Sequence, residues 1–123
     1  MGARMPPLRR LASIALWLAV AVAYVAAVLP QAEAPHLGGS DKLDHMAAFF
    51  TVTMLARLAY PGMPVLRLFP LIGLFGAAIE LSQALPFVHR DAEWGDWYAD
   101  LAASFVGLLV AWPLVPLVER RLD

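Results

Sequence analysis

Glu80 and Gln83 lie near the end of an apolar run, Leu68 to Leu85, and Asp100 lies in the next such run. Side chains three or four residues apart on a helix share a face, so the Glu80 carboxylate and the Gln83 amide project together. An ionisable group inside an apolar segment normally faces a bundle interior or a wet cavity. There a carboxylate can take up or release a proton during a reaction. Glu80 is therefore a candidate general acid or base, with Asp100 as its partner and His45, at the start of an earlier run, as a proton carrier. The alternative for all three is a structural polar network, with Glu80 hydrogen-bonded to Gln83, Arg90 or His45.

Other polar residues collect at the same level of the chain. Asp41 and Lys42 open the run that carries His45, Arg90 and Asp91 lie in the loop after Gln83, and Asp96 precedes Asp100 by four residues. Lys42 and Arg90 suit a phosphate or carboxylate, Arg90 with a bidentate fork. Gln83, Asp96 and Asp41 complete the set of candidate binding residues. Each has a structural reading too: Asp41 and Asp96 as helix N-caps, and Arg90 as the counter-charge of Glu80 and Asp100. His45, Glu80, Asp96 and Asp100 offer one nitrogen and several oxygens, a set suited to a hard or borderline cation. They follow no defined ligand spacing such as H-E-x-x-H, and the reading assigns no metal and no cofactor.

The elements that must hold these residues are apolar helices. Apolar residues make up 61% of the 123-residue chain and charged residues 15%, against about 25% charged in soluble domains. One domain, residues 1–123, is expected, with helices at about 11–29, 43–60, 68–85 and 97–117. The second is the weakest, carrying His45 and Arg57 near its ends. Pro61, Gly62 and Pro64 mark a tight turn, and Pro70 is placed in the first turn of the third helix, where a missing N–H is harmless. Cysteine is absent, which excludes disulfides and thiolate metal sites. No basic patch supports nucleic-acid binding.

Charge placement sets an orientation. Arg4, Arg9, Arg10, Arg57, Arg67, Arg120 and Arg121 fall on one side of a four-span arrangement, and only Lys42 and Arg90 on the other. The excess of arginine marks the cytoplasmic side. Both termini are thus expected in the cytoplasm, with Trp94, Trp97 and Tyr98 in an outer interfacial belt and Tyr60 and Trp112 in an inner one. Arg9-Arg10, an apolar stretch and Ala32-Glu33-Ala34 also fit a signal peptide. Pro35 after the would-be cut and a stretch already long enough to span favour an uncleaved helix. Small residues form two stripes, Gly73, Gly76 and Ala77 on the third helix and Ala103 and Gly107 on the fourth. Those stripes predict a tight seam between these two helices.

The ordered set Asp41-Lys42-x-x-His45-x-x-x-Phe49, Glu80-x-x-Gln83, Arg90, Asp96, Asp100 and Gly107 resembles the VanZ-like family of small bacterial membrane proteins, over residues 41–111. Asp100 stands where many relatives carry Asn, and Ala103 where Gly is common. The resemblance implies an all-α, four-helix module of the bacterial inner membrane; one member of that family is linked to resistance against teicoplanin. It brings no established reaction. Two functions follow as expectations. The first is an outward-facing pocket that binds an envelope lipid headgroup or cell-wall precursor. The second is a membrane enzyme performing hydrolysis or group transfer on a lipid-linked envelope substrate.

Overall fold

Runs of Ala, Leu, Val and Ile broken only at Pro and Gly leave the backbone little choice but helix, and a computed structural model describes residues 7–29, 41–86 and 94–120 in that form. The helices are α1 (Pro7–Val28), α2 (Asp41–Ala59), α3 (Val65–Gln83), α4 (Trp94–Ala111) and, after a 3₁₀ turn at Trp112–Leu114, α5 (Val115–Arg120). No strand occurs among the described residues. Three segments are long and apolar enough to cross a membrane: Pro7–Val28, Val65–Gln83 and Trp94–Leu117. That is consistent with a multi-pass membrane protein.

The four long helices each begin two to four residues before the bounds read from the sequence. Local chemistry explains the shifts. Pro7 supplies a fixed φ at a position that needs no N–H. Pro64 is extended (φ −61°, ψ 141°), and its carbonyl accepts from Arg67 N at 2.9 Å and Leu68 N at 3.0 Å, which starts α3 at Val65. Pro70 is consequently inside α3 rather than in its first turn, and its ring removes the bond that would reach the Leu66 carbonyl. At the other extreme, the single helix expected to Leu117 stops at Ala111. Pro113 cannot donate back to the preceding turn, so the chain tightens into the 3₁₀ turn before α5.

Side-chain contacts show the helices running alternately up and down. Arg9 of α1 reaches Ala59 at the end of α2, Tyr24 of α1 meets Ser82 at the end of α3, and Gly73 and Gly76 of α3 pack on Leu101 and Trp97 of α4. The closest packing is between α2 and α4, followed by α1 with α2. α2 and α3, although joined by the short turn Tyr60–Pro64, face each other across the centre, with Phe49 against Phe75 at 5.6 Å between ring centroids.

The expected α3–α4 seam is built differently on its two sides. Gly73 and Gly76 do face α4, where a Cβ would lie 3.3 Å from Leu101 and 3.1 Å from Trp97. Gly107 instead faces α2, its missing Cβ only 3.0 Å from the Phe50 carbonyl oxygen and 3.2 Å from Thr53 Cβ. Gly107 therefore seats α4 against α2, and α4 packs on both α2 and α3.

An apolar core that includes Leu16, Phe49, Val52, Leu68, Ile72 and Ile79 is buried together with several polar side chains. The largest fully buried side chains among the described residues are Ile79, Gln83, Glu80, Thr53, Asp100 and Ser104, five of them polar. Leu11, Leu18, Val22, Leu66, Leu74 and Phe105 point outward, each more than half exposed. Polar groups inside and apolar groups outside is the pattern that an apolar surrounding selects.

Candidate functional site

His45, Glu80 and Asp100 converge from α2, α3 and α4. Each offers one donor atom, and the three atoms all lie within 4.8 Å of one another. Glu80 is 2% exposed and Asp100 1%, and His45 is half-buried. Helix direction makes this meeting possible: His45 is one turn into α2, Glu80 one turn from the end of α3, and Asp100 two turns into α4. In an up-and-down bundle those three positions stand at one level.

Each helix is fixed at that level by a bond to a neighbour. Gln83 Nε2 donates to the Ala27 carbonyl at 2.9 Å, one of the orphan carbonyls in the last turn of α1. Tyr24 and Ser82 share a second bond of 2.8 Å between the same two helices. Together they hold the end of α3 and hence the height of Glu80. Trp97 Nε1 donates to the Gly73 carbonyl at 2.9 Å, locking α4 to α3 three residues before Asp100. At the rim, Lys42 Nζ lies 3.5 Å from Asp96 Oδ1, with the lysine side chain 49% exposed and the aspartate 12%.

These contacts sort the residues singled out from the sequence. His45, Glu80 and Asp100 are brought together. Lys42 and Asp96 form an ion pair just outside them. Gln83 lies beside Glu80 in sequence, yet its amide nitrogen is committed to α1. Arg90 and the side chain of Asp41 lie outside the described residues. Of the outer aromatic group, Trp94 and Tyr98 are exposed, whereas Trp97 turns inward and packs edge-on to Trp94 at 5.7 Å. The sequence reading missed Tyr24 and the inward role of Trp97. Tyr24 was legible in principle, as the only phenol in the first apolar run. Trp97 was not, because the carbonyl it reaches carries no sequence signature.

Two hydroxyls extend the polar interior below the cluster. Ser104 is one turn beyond Asp100 on α4, and Thr53 two turns beyond His45 on α2. Both are fully buried, and neither hydroxyl oxygen has a hydrogen-bond partner among the described residues.

Electrostatics decide what the cluster can do. Two like charges at 4.8 Å repel by about 3–4 kcal/mol at an effective dielectric near 20. Two ionised carboxylates at this depth therefore require a balancing positive charge: a proton, a cationic side chain or a bound cation. Acid–base exchange and cation capture are within the reach of such a site. Direct capture of a bare anion by the carboxylates is not.

No family model, curated protein or solved structure matches the chain.

Proposed function

We propose that the protein is a VanZ-like, four-span protein of the bacterial inner membrane, with both termini in the cytoplasm. In this reading α2 is the fourth span, less apolar than the others because it is flanked by α1 and α4 as well as by lipid. Its function is to bind the polar headgroup of an envelope lipid or lipid-linked precursor at the outer end of α2, α3 and α4. The observation that carries the reading is the convergence of His45, Glu80 and Asp100 within 4.8 Å, with the two carboxylates almost fully buried. Groups so placed cost the fold stability, and a site kept at such a cost is characteristic of function. Lys42 and Asp96 form the rim, and Trp94 and Tyr98 set the depth at the headgroup level.

A second reading, hydrolysis or group transfer on the same lipid-linked molecule, is favoured by one specific feature. Three groups able to carry a proton stand together, so one can act as base while another acts as acid. Lipid retention and turnover separate the two. The full chain in nanodiscs is expected to retain a polyprenyl phosphate over the corresponding neutral polyprenol, and to lose that preference on charge reversal, Arg90→Glu. Equal retention of both lipids by wild type overturns the headgroup reading, and release of a product from the retained lipid establishes the second. A reporter fused after Asp123 tests the orientation: activity confined to the periplasm overturns it.

A further inference from the structure

We propose that His45, Glu80 and Asp100 form a binding site for a single divalent cation of the hard-to-borderline range, Mn²⁺, Fe²⁺ or Zn²⁺. The inference stands on the three side chains alone. Its consequence for the headgroup rests on the reading above.

Donor chemistry comes first. One imidazole nitrogen with two carboxylate oxygens suits borderline divalent ions better than Cu(I), which prefers sulfur, or Ca²⁺, which prefers oxygen throughout. The three residues come from three different helices, so the missing sequence spacing is no objection. Metal sites in helical bundles are assembled from carboxylates and histidines that project inward from facing helices. Geometry comes second. With metal–ligand bonds of about 2.0–2.2 Å, two ligands of one ion stand about 3.3 Å apart in a tetrahedron and about 4.2 Å apart when opposite. The 4.8 Å limit on the present separations exceeds these by amounts that rotation of a carboxylate can close.

Open coordination is the third argument. Three protein ligands leave coordination positions open, the arrangement found where a metal binds a further ligand. An open position lying inside the Lys42–Asp96 rim would take a phosphate or carboxylate oxygen. The cation thereby converts an anion-repelling floor into an anion-accepting one, which deepens the headgroup reading.

The test uses the full chain purified in detergent, stripped with EDTA and titrated with MnCl₂ by electron paramagnetic resonance and with ZnCl₂ by calorimetry. Wild type is expected to bind a single equivalent and to melt at a temperature that rises with metal concentration. Asp100→Asn and His45→Ala are expected to lose affinity by at least the about 10–100-fold seen for changes outside the first ligand shell. Thr51→Ala, on the exposed face of α2, is expected to match wild type. Wild type that binds no metal overturns the site, and so does unchanged affinity in both ligand variants. The wild-type titration decides the matter even if a variant does not fold. Metal bound without any preference for polyprenyl phosphate confirms the cation site and overturns the headgroup reading.

Discussion

The two ends of the bundle use charged and polar side chains in opposite ways. At the end of α2 near Tyr60, the side chains of Arg57, Arg9 and Tyr60 are tied to structure. Arg57 Nη1 donates to the carbonyls of Pro61 at 2.9 Å and Met63 at 3.1 Å, and Arg9 Nε donates to that of Ala59 at 3.2 Å. Those acceptors belong to the last turn of α2 and the turn that follows, where carbonyls lack helical partners. Tyr60 Oη lies 3.2 Å from Ser13 Oγ and accepts from Trp17 Nε1 at 3.1 Å, pinning α1 to the same corner. At the opposite end His45, Glu80 and Asp100 face one another. An arginine on a helix-end carbonyl relieves an unmet acceptor. Two carboxylates side by side bring like charges together. The contrast separates architecture from candidate chemistry better than burial does.

The largest expected effect tests that separation directly. Glu80→Gln and Asp100→Asn keep shape but remove a charged ligand of the proposed cation, and lipid retention through that cation is expected to fall about 10–100-fold. Stability in an SDS titration is expected to stay level or to rise, because the like-charge repulsion is relieved. A fall of several kcal/mol, the scale of a broken buried ion network, with retention intact would make the cluster architecture as well. Arg57→Met at the other end should do the reverse. It leaves the Pro61 and Met63 carbonyls without their donor, lowers stability by about 2–3 kcal/mol and does not change lipid retention. A loss below about 0.5 kcal/mol would reduce Arg57 to a surface charge.

The sequence made the two ends legible to different degrees, for reasons of helix geometry. Apolar runs bounded by Pro and Gly located the helices within a few residues, and unusual carboxylates in those runs located Glu80 and Asp100. The angular detail was out of reach. Glu80 and Gln83 are three residues apart, which leaves them about 60° apart around the axis. That is enough to send one to the cluster and the other to the Ala27 carbonyl of α1. Asp96 and Asp100 share a face more closely, but one turn of rise leaves Asp96 at the rim with Lys42 and Asp100 enclosed. At the Tyr60 end the arginines were read as topology markers alone. Their carbonyl partners are backbone atoms, which every residue possesses and no residue type announces.

Gly107 joins the two regions and should show an intermediate effect. It lets α4 approach the Phe50 carbonyl, and a Cβ there meets backbone at 3.0 Å and Thr53 at 3.2 Å. Neither neighbour can swing aside as the tip of a long side chain would. Gly107→Ala is expected to lower stability by about 1–3 kcal/mol, the usual range for overpacking. Gly73→Ala should cost less, since its neighbour at 3.3 Å is the flexible end of Leu101. Equal losses in the two variants, measured by the same SDS titration, would place the tightest helix contact between α3 and α4 after all.

The smallest effect is expected at the rim, and it fixes where the cluster stops. Lys42 is half exposed and its Nζ stands 3.5 Å from Asp96, a separation and exposure at which ion pairs contribute about 0–1 kcal/mol. Asp96 also lies in the first turn of α4, where the exposed N–H groups favour a carboxylate without help from lysine. Lys42→Met should therefore shift stability by less than about 1 kcal/mol, with the shift fading as salt is raised. A loss above about 2 kcal/mol that salt does not erase would mean that Asp96 is coupled to Asp100 one turn deeper. The charged network would then run from the rim to the buried site, and Lys42 would belong to it rather than to the surface.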